Sequence, residues 1–153
     1  MGDVIALEPL LSARITLAPP IELGETPLGR RRIVGITGGS FSGPRLSGKV
    51  IPGGADWQVV RADGVADLDA RYALETDDGA LIYVENRGYR HGPAEVIARL
   101  ARGEDVDPAL YYMRTTPRFE TSDERYAWLN RIVCVGTGAR RAARVELQFY
   151  EVK

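Results

Sequence analysis

One cysteine, one histidine and two lysines are all that a chain of 153 residues holds of three common functional side chains. With Cys134 as the single cysteine, no intramolecular disulfide forms and no cysteine-based metal site is available. With His91 as the single histidine, multi-histidine metal sites are excluded, and a Ser-His-Asp arrangement would need His91 without any G-x-S-x-G elbow. No segment approaches the ~20 consecutive apolar residues of a spanning helix. The first twenty residues also lack the basic start and apolar run of a secretory signal, so the expected location is cytoplasmic. Charge of one sign is missing as well: the formal net charge is -1. That gives no general attraction to nucleic acid or to an anionic membrane, and neither is an expected partner.

What is present describes a turn-rich globular chain. Apolar residues make up 44% and charged residues 27%, and 17 glycines with 9 prolines favour many turns over long helices. The length suits one domain over residues 1–153 with a core that needs no metal or disulfide support. Between Gly64 and Gly88, Leu68, Ala70, Tyr72 and Leu74 alternate with Asp67, Asp69, Arg71 and Glu75, and Asp78-Gly79 supplies turn chemistry, which predicts a long hairpin. Asp63-Gly64 predicts the turn before it. Gly43-Pro44 predicts another, Gly38-Gly39 a bulge or bend, and "GRRR" from Gly29 to Arg32 the solvated start of a strand. "GPAEVIARLARGEDVDP", Gly92 to Pro108, carries the one helical stripe, Val96, Ile97 and Leu100. Strand-like runs follow in "ALYYMRTTPRFE", "YAWLNRIVCVGTG" and "ARVELQFYEV", giving about nine strands in all. The expectation is an all-β fold: a single antiparallel, lipocalin-like β-barrel of about eight to ten strands with one short α-helix, its edges removed by closure.

Several chemical motifs fail on context. "GPRLSGKV", Gly43 to Val50, has the spacing of a phosphate-binding loop, but Val50 replaces the Ser or Thr that would hold magnesium and Pro52 stops any helix. Asp67, Asp69, Asp77 and Asp78 lie close together, yet "DDG" is explained by its turn and the EF-hand spacing is absent. No metal and no cofactor is expected.

Arg114, Thr116, Arg118 and Glu120 share a strand parity, and read as a strand, "YAWLN" puts Trp128 and Asn130 on one face. Pointing inward, Arg114, Glu120, Trp128 and Asn130 would supply a cation, a carboxylate, an aromatic wall and an amide, the mixture of a small-molecule pocket.

The segments "GGSFSGP", "GKVIPGGADWQ", "RADG", "LDARYALETDDG", "YYMRTTPRFET" and "YAWLN" resemble, in order, those of the domain-of-unknown-function 3237 family, from about Arg31 to Val152. The resemblance implies a single antiparallel barrel with a helix. It also implies a set of motif positions: Asp56 and Trp57, then Asp69, Arg71 and Tyr72, then Arg114, Phe119 and Glu120, and finally Trp128 and Asn130. Some members of the family are associated with natural-product pathways and cyclisation by intramolecular addition. Within "LDARY" only one parity faces a barrel interior, and the reading adopted places Asp69 and Arg71 inward, with a single bulge able to invert it.

Three functions compete. In the first, a cofactor-independent isomerase or cyclase, Glu120 or Asp69 is the general base, Arg114 or Arg71 stabilises an oxyanion and Trp128 positions the ring. In the second, the same barrel binds a small apolar or carboxylated ligand without chemistry, with Asp56, Trp57, Arg71, Trp128 and Asn130 as contacts. In the third, internal salt bridges fix strand register in a filled barrel. Leu129, Val133 and Val135 offer an apolar face for a homodimer or for packing under the helix.

Overall fold

The computed structural model describes residues 2–153. Nine strands follow in order: β1 Leu7–Leu17, β2 Ile21–Thr26, β3 Gly29–Ser42, β4 Ser47–Val60, β5 Ala66–Thr76, β6 Leu81–His91, β7 Tyr112–Glu120, β8 Cys134–Arg140 and β9 Arg144–Val152. One α-helix, α1 (Ala94–Ala101), lies between β6 and β7, and 3₁₀ segments cover Pro108–Leu110 and Glu124–Arg131. Every neighbouring pair is antiparallel, in the order β1-β9-β8-β7-β6-β5-β4-β3-β2, and an added β1–β3 pairing closes the sheet. Eight strands therefore form a closed barrel, and β2 folds back on β3 as a short extra arm.

Closure depends on two glycines. Gly38 and Gly39 have φ of +146° and +139°, a region that side chains disfavour. A Cβ on Gly39 would lie 2.1 Å from the Arg14 carbonyl oxygen, so only glycine lets β3 approach β1 at this corner. The pairing of β3 with β4 skips from Gly35 to Ser40 at the same place, as expected of a bend built on a bulge.

Alternation decides what faces inward. On β7, Met113, Thr115, Pro117 and Phe119 are buried while Tyr112, Arg114, Thr116, Arg118 and Glu120 are exposed. Pro117 lies beyond the last β7–β8 pair, Thr115↔Gly136, so its missing N–H costs no ladder bond there. On β5 the inner set is Ala66, Leu68, Ala70, Tyr72 and Leu74. The core includes Ile15, Leu74, Ile82, Val84 and Phe149, each almost fully buried and each contributing about 1.5–3 kcal/mol by leaving water. Cys134 is buried, and desolvation chiefly, with Glu151 nearby, pushes its thiol up to about 11, so it behaves as a small hydrophobe.

The segment expected to be a strand at "YAWLN" is instead 3₁₀ helix, Glu124–Arg131. Asp123 caps it by accepting from the Arg125 amide at 2.9 Å. Asn130 ties its far end to Thr121, accepting from the Thr121 amide at 2.8 Å and donating to its carbonyl at 2.9 Å. Leu129 enters the core, and Trp128 is partly buried beneath the Arg45 guanidinium, whose carbon stands 3.6 Å from the ring centroid. The segment thus closes the barrel end where β7 finishes and β8 begins. At the opposite end, where β5 starts and β6 finishes, α1 packs Val96, Ile97 and Leu100 against the core.

Candidate functional site

The interior holds a cavity of about 50 Å³ in the half of the barrel nearer α1. Its walls are mostly apolar, with Ile15, Val34, Ile36, Leu68, Met113 and Leu147 among them. Its polar groups come from four strands: Asp56 and Gln58 on β4, Asn86 and Arg90 on β6, Thr115 on β7 and Arg140 on β8. A second space of about 170 Å³ lies against Ile97 and Leu100 of α1, and both spaces are bordered by Arg90 and Arg140. Arg30 and Arg32 line that vestibule as well.

Asp56 is the one carboxylate lining the inner cavity among the described residues. Gln58 Nε2 donates to its Oδ2 at 2.8 Å, and the Asp69 amide donates to its Oδ1 at 2.9 Å. Gln58 Oε1 in turn accepts from Arg32 Nη2 at 2.6 Å. The β4–β5 pairing runs from Asp56↔Ala70 to Val59↔Asp67 without pairs between, so the strand ladder opens where the carboxylate takes the Asp69 amide. Burial raises the Asp56 carboxyl above its ordinary range, against the lowering effect of the Gln58 and Asp69 hydrogen bonds and of Arg90. Tyr72, facing the same space, is pushed well above an ordinary phenol by burial and stays a neutral O–H. Two further polar atoms in this region are buried with no partner among the described residues: Asn86 Oδ1 and Thr115 Oγ1. Three arginines stand around the carboxylate, and burial lowers the proton affinity of each, with Arg90 drawn down to about 10.

The expected site residues divide between inside and outside. Asp56 lines the cavity; Trp57, its neighbour, faces out and is 45% exposed. The inward placement of Asp69 and Arg71 is overturned: Ala70 and Tyr72 occupy the interior parity, because the apolar positions Leu68, Tyr72 and Leu74 gain more from burial than the charged ones. Asp69 and Arg71 pair on the outer surface at 3.3 Å, with Arg87 3.5 Å from Asp69 and Glu85 3.9 Å from Arg71. Arg114 and Glu120 are outward too, since the Met113 to Phe119 set fills the core. Trp128 and Asn130 belong to the plug at the far end, where they serve packing and hydrogen bonding rather than the cavity. Val133 is exposed and Leu129 buried, so the suggested apolar face is broken. The internal salt bridges of the third reading are absent among the described residues: each ion pair has at least one partner that reaches solvent.

Gln58, Asn86, Arg90, Thr115 and Arg140 were not singled out from sequence. One signal was available: Asn86 and Arg90 share the parity of Ile82 and Val84 on β6, which puts two polar side chains on a core face.

Comparison with known proteins agrees with this fold. The family described as "Protein of unknown function (DUF3237)" matches residues 5–152. A UPF0311 protein of Bradyrhizobium diazoefficiens is 50% identical over 132 residues, 86% of each chain. The crystal structure of a conserved protein of unknown function from Rhodopseudomonas palustris superposes with a TM-score of 0.96 at 42% identity, covering 99% of this chain and 100% of that one. A beta-barrel like protein from Acinetobacter baumannii gives 0.88 at 49% identity, covering 100% of this chain and 99% of that one. More distantly, a hydroalkoxylation enzyme of Penicillium herquei is 31% identical over 131 residues, 86% of this chain and 72% of the enzyme. An enzyme structure from the same fungus gives a TM-score of 0.74 at 26% identity, with full coverage of both chains. By sequence along nearly its whole length and by its eight-stranded closed barrel, the chain belongs to the DUF3237 family of proteins of unknown function.

Proposed function

We propose that the barrel binds a small molecule in the cavity around Asp56 and catalyses a cofactor-independent isomerisation, of which intramolecular addition of a hydroxyl to an activated alkene is the leading form. The observation that carries this reading is a half-buried carboxylate with a raised proton affinity facing an apolar cavity edged by arginines. The distant likeness to a hydroalkoxylation enzyme supports the reaction class. In such a step Asp56 takes the proton of the substrate hydroxyl while its oxygen bonds to the alkene carbon. The alkene electron pair moves to the conjugated carbonyl oxygen, where Arg90, Arg140 or the Tyr72 O–H offsets the charge. Return of the proton from Asp56 to the adjacent carbon regenerates the carboxylate, so substrate and product are isomers and no oxidant is consumed.

The test is incubation of wild type and Asp56→Asn with short hydroxy-enones in D₂O, followed by proton NMR. Ring closure with deuterium at the carbon next to the carbonyl in wild type, lost in Asp56→Asn, is the expected result. Equal turnover by the two proteins sinks the assignment of Asp56. A second reading, ligand binding without chemistry, is favoured by one fact: both Asp56 oxygens already accept a hydrogen bond. It expects ligand-induced stabilisation of both proteins and no deuterium incorporation in either.

A further inference from the structure

Arg90 and Arg140 border both cavity and vestibule, Arg32 lines the vestibule, and Asp56 is the one carboxylate lining the inner cavity among the described residues. Arg90 is 8% exposed and, among the described residues, has no carboxylate within ion-pair distance. Its place on β6 is fixed by pairing with Ala66 on one side and Met113 on the other. Arg140 Nη1 is held by the carbonyl oxygens of Arg141 at 2.6 Å and Arg144 at 3.2 Å, so its remaining N–H groups are free to face the cavity. Arg32 is anchored through Gln58, reaches Glu22 only at 3.9 Å, and keeps a buried Nε without a partner. The arginines also disfavour one another: each of Arg90 and Arg140 has its proton affinity lowered first by burial and then by Arg32. Arg90 and Arg140 border the inner cavity, whose one lining carboxylate among the described residues is Asp56, and Arg32 adds a third cation that Glu22 meets only at 3.9 Å, so a demand for negative charge is left unmet.

We infer that this passage is an oxyanion-binding site: Arg32, Arg90 and Arg140 receive the carboxylate or phosphate of a ligand whose small apolar body extends into the barrel. The inference names the ligand class of the cavity assigned above and rests on that cavity being a binding site, although it does not need Asp56 to be a base. Planar guanidinium groups suit such heads because two parallel N–H bonds match two oxygens. Size limits the body. The inner cavity, about 50 Å³, is below the roughly 150 Å³ of an engineered cavity that takes benzene. A ring therefore uses the vestibule as well, which brings any head group level with Arg90 and Arg140. The ligand is accordingly a single-ring or short-chain compound, and its anionic end lies toward α1.

Calorimetric titration with benzoate, phenyl phosphate and benzamide tests this on the intact protein. Benzoate or phenyl phosphate binds measurably and benzamide, with benzoate's shape but no charge, at least about tenfold more weakly, the order expected for charge-assisted bonds. The stronger of the two anions identifies the head group. Arg90→Gln and Arg140→Gln each weaken the anion about tenfold and leave benzamide unchanged; the second variant keeps the test in force if the first does not fold. Asp56→Asn, which removes the one carboxylate lining the cavity among the described residues, binds the anion as tightly as wild type or more so. Benzamide binding equal to benzoate, or wild-type anion affinity in both arginine variants, overturns the oxyanion site. Loss of turnover in Asp56→Asn with anion binding intact bears on catalysis alone, whereas turnover of neutral substrates with no anion preference removes the oxyanion site and leaves catalysis standing.

Discussion

Replacing Arg90 by Met in ligand-free protein is expected to stabilise the fold. The guanidinium is nearly enclosed, and burial, then Arg32 and Arg140, draw its pKa from the ordinary guanidinium range down to about 10. A tenfold loss of proton affinity is 1.36 kcal/mol, so the depression corresponds to about 3 kcal/mol of charge burial and like-charge repulsion beyond what Asp56 offsets. The sign follows from linkage: the unfolded chain holds this proton more tightly than the native state, so the penalty is complete at every pH below about 10 and is relieved only as pH rises from there toward the ordinary guanidinium value. At neutral pH the cost is therefore present in full. Met keeps an unbranched apolar stem of similar reach beside Ala66 and Met113 and removes the charge. For a chain of this size 1 kcal/mol moves the melting temperature by about 2–4 °C, which gives a rise of about 6–12 °C. The assay is thermal unfolding at pH 7.5 of both proteins after refolding from urea to strip small molecules. A melting temperature that stays level or falls in the stripped variant refutes the claim that Arg90 is an uncompensated cation.

Four other outcomes follow from the geometry. If Asp56 is the base, the rise of kcat/KM with pH occurs through a limb displaced above the ordinary aspartate value of 3.8, because burial raises its carboxyl; a limb at or below that value removes the base from Asp56. The same shift makes Asp56 fully stabilising only below about 3.8 and progressively less so as pH climbs through its native value. Glu120→Gln, on the outer face of β7, changes stability by less than about 0.5 kcal/mol and leaves probe binding unaltered; a larger loss in either chemical denaturation or titration would return Glu120 to the site. Asn130→Ala removes both hydrogen bonds to Thr121 and loosens the plug at the far end, costing about 1–3 kcal/mol in urea unfolding with cavity affinity preserved.

The barrel was legible because its evidence is local. Turn pairs at Asp63-Gly64 and Asp78-Gly79, the bend at Gly38-Gly39 and strict alternation along β7 each follow from a few adjacent residues, and each is found in the structure. The segment at "YAWLN" misled for an equally local reason. Its aromatic and apolar run fits a strand, but Asp123 and Asn130 hold both ends of a 3₁₀ segment by hydrogen bonds that periodicity does not register.

The site itself was harder to see, because parity is a collective property of the barrel. In "LDARY" the charged and apolar sets alternate perfectly, and choosing the charged set as cavity lining treated a polar pocket as a strand made polar throughout. The structure builds its pocket differently: β5, β6 and β7 keep their apolar parity inward, and one or two polar residues interrupt the inner face on each of four barrel strands. Asp56 and Gln58 share a face with Val60, Asn86 and Arg90 share one with Ile82 and Val84, and Thr115 shares one with Met113 and Phe119. A buried polar group in such a place loses hydration that a hydrogen bond must replace, and Asn86 and Thr115 each keep a buried oxygen with no partner among the described residues. Residues that break an otherwise apolar parity therefore mark the cavity better than runs of charge do, and the groups they leave unsatisfied define the chemistry of what enters it.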